Sequence, residues 1–274
     1  MEKFSVCTSV YKNDKPEYVR RALDSMLVDQ TVKPTEIVLV QDGPVPDELQ
    51  KLLTEYEGKY SGVMHVIRLE KNGGLGNALR LGVENAQYDI CARMDSDDIC
   101  LSNRFAKQLA YLEEHPECDI VGGQMTEFIG EEENIIGKRE VPLSNNDIYK
   151  YMKSRCALNH VTVMFRKKSV LDVGNYQDWF WNEDYYLWVR MMIKGNVFAN
   201  LPDDLVNVRS GRDQYARRGG IKYFKSEAGI QKLMKVNGLI STPRYLLNVA
   251  IRWSIQVAMP NWLRGFVFKN ILRK

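Results

Sequence analysis

Tyr88-Asp-Ile-Cys-Ala-Arg-Met-Asp-Ser-Asp-Asp98 decides the fold. Its first seven residues, Tyr88–Met94, form a short apolar run of the kind that becomes a buried strand. The run stops on three carboxylates, Asp95, Asp97 and Asp98. Negative groups this close repel one another unless a cation or a helix N-terminus compensates. Hard oxygen donors of this type suit Mg²⁺ or Mn²⁺ shared with substrate phosphates. From the residues alone, a capping-and-turn cluster is an equal alternative. An EF-hand is excluded, because no Gly follows at the required offset and no Glu closes a twelve-residue loop. A phosphatase-type nucleophile is disfavoured, because the cluster follows the fourth strand and not the first.

Working outward, the preceding segments alternate strand and helix. Phe4–Val10, Thr35–Val40 and Val63–Leu69 read as strands. Between them Pro16–Val28 reads as a helix with Val19, Leu23, Met26 and Leu27 on one face, and Asp47–Tyr60 as a second. Asn72-Gly-Gly leads into a third helix carrying Leu75, Leu79 and Val83. After the carboxylates, Asn103–Glu114 is helical and Ile120–Phe128 strand-like. Such alternation predicts an α/β fold with a mostly parallel sheet flanked by helices, whose ligands bind beyond the carboxyl ends of the strands. Past residue 130 the pattern loosens. Glu131–Asn134 reads as a solvated loop tip, Asp147–Ser154 and Asp184–Lys194 as helices, and Val161–Phe165 as a strand. The simplest division is one α/β domain over residues 1–210 and a helical C-terminal extension over 211–274.

Composition excludes several classes. The 274 residues are 45% apolar and 27% charged, which fits a folded chain and not a disordered one. Five scattered cysteines without a CxxC pair indicate neither a disulfide framework nor a zinc site, and a reducing cytoplasm fits them best. The first residues do not read as a secretory signal. No stretch reaches the roughly 18–20 uninterrupted apolar residues of a spanning helix. The net charge of +3 hides an asymmetry: Arg209–Lys274 carries fourteen Lys and Arg against only Asp213 and Glu227. Such a tail is expected to meet an anionic partner.

Other candidates lie at predicted strand ends and helix starts. Asp42, directly after the second strand, could accept bonds from a ribose or a base; a turn role before Gly43-Pro44 is equally open. Asn72-Gly-Gly-Leu-Gly76 is neither a Walker loop nor GxGxxG, so its phosphate signal is weak alone. Arg80 follows one turn later. Trp179-Phe-Trp-Asn-Glu-Asp-Tyr-Tyr-Leu-Trp188 combines acids with the flat apolar rings that stack on sugars. Trp181 reads as pocket or surface, and Trp188, in register with Met191 and Met192, as core. Glu183 and Asp184 are equally ordinary helix-start acids.

In this order, the motifs resemble an inverting glycosyltransferase of family 2, of GT-A fold. The segments that carry the resemblance are Phe4–Tyr11, Val38–Gly43, Asn72–Arg80, Asp95–Asp98, Asn159–Lys167, Glu183-Asp184 and Leu205–Arg209. The nearest subgroup in pattern builds bacterial capsule, exopolysaccharide or O-antigen, including amylovoran-type enzymes. The resemblance implies a nucleoside-diphosphate sugar donor, commonly a UDP-sugar, a lipid-linked saccharide acceptor, and Mg²⁺ or Mn²⁺ as cofactor. It implies that Thr8, Asp42, Asn72, Arg80 and Asp95 bind the nucleotide, with Asp97 and Asp95 at the metal. Asp184 would be the general base, and Trp181, Glu183 and His160 would contact the acceptor. Arg209, Arg217 and Arg218 would steady the leaving diphosphate. Gln214-Tyr-Ala-Arg-Arg218 departs from the QxxRW motif of processive synthases, which implies a single transfer per acceptor.

Competing readings are weaker. A nucleotidyltransferase would carry a Gly-rich, basic loop where this chain has Ser9–Lys15. A non-catalytic GT-A-like binding module is opposed by intact Asp95, Asp97 and Asp184. A nucleic-acid partner lacks its recognition elements. Within the tail, Leu246, Val249, Ala250, Trp253 and Val257 form one face, and Asn248, Arg252 and Gln256 a narrow polar stripe. That pattern suits a helix lying on the cytoplasmic, anionic face of a bacterial membrane. Packing on the catalytic domain or on a second copy in a homodimer is the alternative.

Overall fold

Four strands, β1 (Phe4–Val10), β2 (Glu36–Gln41), β3 (Met64–Arg68) and β4 (Ile90–Arg93), run parallel. This is a computed structural model, and it describes residues 2–211 and 219–259. The crossovers are α1 (Pro16–Leu27), α2 (Asp47–Lys59) and α3 (Leu75–Asn85). Pro16 opens α1 where its missing N–H costs nothing, and Val19, Leu23, Met26 and Leu27 are buried as their spacing requires. β2 is buried at every position, because helices cover both faces of the sheet.

Beyond β4 the chain adds β5 (Ile99–Cys100), α4 (Arg104–Glu114), β6 (Ile120–Phe128), β7 (Ile135–Arg139) and α5 (Asn145–Met152). It continues with β8 (Met164–Arg166), α6 (Lys167–Leu171), α7 (Glu183–Lys194) and β9 (Phe198–Arg209). The nine-stranded sheet runs β3-β2-β1-β4-β8-β6-β9-β5, with β7 paired to β6. β8 is antiparallel to both β4 and β6, so a parallel half is joined to a mixed half. This is the GT-A architecture. Its cores lie on opposite faces: Val6, Leu39, Leu53 and Phe105 on one, Val38, Leu79, Trp188 and Met191 on the other. Trp188 is fully buried, as its register with Met191 and Met192 implied.

One local reading changes, and one strand had no reading in the sequence. Over Val161–Phe165 the chain makes a 3-10 turn, His160–Thr162, and only then enters β8. The cause is local: the backbone N–H and the hydroxyl of Thr162 both donate to the Asn159 carbonyl, at 2.9 and 2.8 Å, and close the turn. Conversely, Phe198–Arg209 is a twelve-residue strand although it contains Pro202, Asp203 and Asp204. Its pairing with β6 shifts register around Gln124, and the irregularity accommodates the proline-acid segment.

The tail continues as α8 (Ile221–Val236), α9 (Thr242–Trp253) and a π-helical turn, Ser254–Ala258. Ile230 and Met234 of α8 join the Trp188 core. α9 is turned the opposite way from an ordinary amphipathic helix. Asn248, Arg252 and Gln256 are buried, whereas Leu246 and Trp253 are 60% and 50% exposed. Each of these inward polar residues has a partner. Asn248 donates to Gln231 Oε1 at 2.7 Å and to the Lys153 carbonyl at 2.9 Å. Arg252 pairs with Glu227 at 3.0 Å and donates to the Ser154 carbonyl at 2.6 Å.

Candidate active site

The carboxyl ends of β1, β2 and β4 converge on one rim, where three loops meet. After β2, Asp42 is buried, and its carboxylate accepts the Asn72 side-chain amide at 2.8 Å, the Gly73 N–H at 2.6 Å and the Gly74 N–H at 3.0 Å. Gly43 follows at φ +86, and a Cβ there would lie 2.6 Å from the Asn72 nitrogen. Only glycine permits both the turn and the approach. Thr8, on β1, is buried with a hydroxyl that has no hydrogen-bond partner among the described residues. Arg80, by contrast, spends its guanidinium on Glu84 at 2.8 Å and Asn77 at 2.8 Å along the outer face of α3.

After β4 come the carboxylates. Asp95 is ion-paired with Arg93, whose guanidinium is almost fully buried and whose Nε has no hydrogen-bond partner among the described residues. Asp98 is buried and accepts the Arg209 N–H at 2.8 Å. Burial first, then the Asp95 and Asp97 charges, hold its carboxyl well above the usual range. Asp97 is half-buried; burial, then Asp95 and Asp14, push it up to about 6. Asp14, from the loop after β1, was not among the sequence candidates. It accepts the Ser96 hydroxyl at 2.9 Å and the Tyr11 N–H at 3.0 Å, and burial raises it to about 6. Its signal in the sequence was only an acid in a polar post-strand loop.

This crowding fits a hard divalent cation, which would relieve the repulsion between Asp97, Asp95 and Asp14. Among the described residues no three His, Cys, Asp or Glu side chains form a ready metal cage. One or two carboxylates supplemented by ligand phosphates is the usual arrangement for Mg²⁺. Two arginines brace the loop from behind, Arg104 fully buried and Arg209 half-buried. Arg104, also absent from the sequence candidates, donates to the Arg93 carbonyl at 2.7 Å. Arg209 donates from Nε to the Asp97 carbonyl at 3.2 Å, and its guanidinium lies 3.9 Å from the Tyr18 ring centre and 4.6 Å from that of Phe128. Arg217 and Arg218 lie outside the described residues.

Opposite stands the start of α7, with Asn182 as its first flanking residue and Glu183 and Asp184 in the first turn. A helix N-terminus favours negative charge there. Even so, burial, and next the Asp184 charge, push Glu183 up to about 7. The Cys156 thiol lies 4.0 Å from Asp184 Oδ2. The glycine loop touches this second acid pair: a Cβ on Gly76 would meet the Gln177 carbonyl oxygen at 3.0 Å and Glu183 Cβ at 3.5 Å. Trp181 is half exposed, adopts φ +54, and stacks on Phe180 with centroids 5.1 Å apart. A large aromatic residue is uncommon in the left-handed region, and such strain concentrates at binding sites. His160 sits deeper, its Nε2 2.9 Å from the Tyr176 hydroxyl and its ring edge-on to Trp188. Burial, then Arg93, keeps it well below the usual histidine range and neutral.

Residues 5–180 match the sequence model described as glycosyl transferase family 2. The amylovoran biosynthesis glycosyltransferase AmsE of Erwinia amylovora is 42% identical, over 89% of this chain and 91% of its own. A UDP-Gal:alpha-D-GlcNAc-diphosphoundecaprenol beta-1,3-galactosyltransferase of Escherichia coli is 34% identical, over 99% of this chain and 97% of its own. Among solved structures, TarS 1-349 of S. aureus in complex with UDP-GlcNAc shares the fold with a TM-score of 0.68 at 18% identity, covering 98% of this chain and 76% of that one. Other structures of this fold, at 13% and 17% identity, were solved with Mn²⁺.

Proposed function

The chain belongs to glycosyl transferase family 2, and from that premise we propose that it moves a sugar from a nucleoside-diphosphate donor, a UDP-sugar, to a hydroxyl of a lipid-linked saccharide, with inversion, in the synthesis of a bacterial surface polysaccharide. The observation that carries the reading is the contact across Gly76, which sets the glycine loop beside Asp42 against Glu183 at the start of α7. That proximity supports a single cleft with donor-side acids facing acceptor-side acids. The diphosphoundecaprenol acceptor in the name of the Escherichia coli relative supports the lipid-linked acceptor.

Asp42, Asn72 and Thr8 would receive the nucleoside at the ends of β1 and β2, with Arg80 bordering it. Asp97, with Asp95, would hold a divalent cation, which when bound supplies positive charge to the leaving diphosphate. Arg209, and beyond it Arg217 and Arg218, would add to that charge. Asp184 would take the proton from the attacking hydroxyl as its oxygen reaches the anomeric carbon from the face opposite the leaving group. Glu183 and the Phe180–Trp181 stack would orient the acceptor, with His160 behind them as a neutral hydrogen-bonding group.

The outward apolar face of α9 supports docking on a membrane. In α8 and α9 Lys232, Lys235 and Arg244 are exposed cations, while Glu227 turns inward to Arg252. An exposed apolar stripe bordered by cations is the composition of a helix at an anionic headgroup layer. No helix among the described residues is long and apolar enough to cross a membrane. The direct test is nucleoside diphosphate release from a panel of sugar nucleotides with Mn²⁺ or Mg²⁺ and a saccharide-diphospho-lipid. Release that requires donor, cation and acceptor together is expected; release of the same rate without acceptor, or none with any donor, would overturn the reading.

A further inference from the structure

We propose that the cavity between the acceptor loop and the first two turns of α8 is an anion site that receives the diphosphate of the lipid-linked acceptor. The inference rests on the acceptor reading given above and adds a site to it. The cavity has a volume of about 360 Å³ and is lined by Asp178, Trp179, Phe180, Lys222, Lys225 and Ser226. That is within the ~300–1,000 Å³ typical of small-ligand pockets.

One wall is fixed before any ligand arrives. The Trp179 ring stacks on Tyr186 at 4.0 Å, and its Nε1–H donates to the Ser226 carbonyl at 3.0 Å. On α8, Gly229 leaves room for the same ring, since a Cβ there would come within 2.7 Å of it. Asn182 donates to the Ser226 hydroxyl at 3.0 Å, so the segment that opens α7 is pinned to α8 at both ends. The opposite wall presents Lys222 and Lys225, three residues apart on one helical face. Lys107, Lys138, Lys150 and Lys168 are all engaged with carboxylates. Lys222 and Lys225 make no ion pair among the described residues.

The chemistry of the reaction calls for such a place. Donor and acceptor each bring a diphosphate, and the crowded carboxylates after β4 repel any anion that arrives without its own cation. A second diphosphate therefore needs a separate positive wall near the acid pair. Phe180 precedes Asp184 by four residues, so the two Cα atoms are at most ~14 Å apart. The aromatic side suits the first apolar units of a lipid, and α8 leads directly to the apolar face of α9. Asp178 on the rim opposes the anion and leaves one net positive charge on the lining.

Farnesyl diphosphate serves as the probe for full-length protein, titrated against the wild type, Lys222→Ala/Lys225→Ala, Asp178→Asn and Asp97→Ala. Affinity is expected to fall about tenfold or more in the double lysine variant. It should rise in Asp178→Asn and stay unchanged in Asp97→Ala, with farnesol and inorganic pyrophosphate binding more weakly. In turnover, the double variant raises KM for a saccharide-diphospho-lipid while the donor KM and kcat hold. Unchanged binding in the double variant, or loss in Asp97→Ala instead, overturns the site. So does a double variant that loses only its binding to phosphatidylglycerol vesicles, because the lysines would then be membrane contacts. Lysine-dependent binding by an enzyme that transfers to no lipid diphosphate would overturn the acceptor reading and leave the anion site standing.

Discussion

The Asn72 side-chain amide spends both of its hydrogens on Asp42, one on the carboxylate at 2.8 Å and one on the backbone carbonyl at 3.1 Å. Two loops 30 residues apart in the chain, one closing β2 and one opening α3, are thereby a single unit. With the Gly73 and Gly74 N–H groups on the same carboxylate, Asp42 shapes the rim of the nucleotide site as well as lining it. Asp42→Asn keeps the shape but replaces one acceptor oxygen by a donor that faces N–H groups. It should cost about 1–3 kcal/mol in urea unfolding and weaken nucleotide affinity; an unchanged midpoint would mean that the loop stands without Asp42.

Asp184→Asn and Asp97→Ala should separate the two halves of the cleft. Loss of general-base assistance is expected to lower kcat by about 10²–10⁴-fold, with nucleotide affinity retained. Asp97→Ala should weaken nucleotide binding only when Mn²⁺ or Mg²⁺ is present, so calorimetry with and without chelator distinguishes the variants. Equal turnover in both would contradict the assignment.

Glu183 provides a pH signature. Its folded-state value of about 7 lies above the ordinary range of a glutamate, because burial and then Asp184 disfavour its charge. The native state therefore binds more protons than the unfolded chain between the ordinary value and about 7, and its contribution to stability falls as pH rises through that window. Glu183→Gln removes the cost of ionisation. The variant should melt higher than the wild type at pH 8, with the difference shrinking as pH falls and vanishing only below the ordinary glutamate value of 4.5. A difference independent of pH would show that the carboxyl is already ionised throughout.

The inverted α9 gives a prediction that an ordinary surface helix would not. Leu246→Ser/Trp253→Ser should leave the melting temperature nearly unchanged, since both side chains face outward, yet reduce binding to phosphatidylglycerol vesicles. Arg252→Ala leaves the inward Glu227 without its cationic partner, with only Gln256 still donating to it, and should cost about 3–5 kcal/mol. Vesicle binding that survives the double variant would point away from this face.

Much of this was legible in the sequence because the parallel half of the sheet is built from local signals. Phe4–Val10, Pro16–Val28 and Asn103–Glu114 each announce period, start and stop, and the structure places them within a residue or so. β9 was not legible, since Pro202 and two acids interrupt it and its strand character comes from pairing with β6. The site divides in the same way. Carboxylates at strand ends stand out in a sequence, whereas Asp14 and Arg104 gain their places only when distant segments meet. The stripe of Asn248, Arg252 and Gln256 was visible as a pattern. Its inward direction was not, because that depends on Gln231, Glu227 and the carbonyls at the end of α5.

The most direct measurement is product analysis after incubation of the enzyme with a UDP-sugar, Mn²⁺ and an N-acetylglucosaminyl-diphospho-lipid. A new glycosidic bond of anomeric configuration opposite to that of the donor is expected from the wild type, with the signal lost in Asp184→Asn. Retention of configuration, or full product from Asp184→Asn, would contradict a single displacement assisted by that carboxylate.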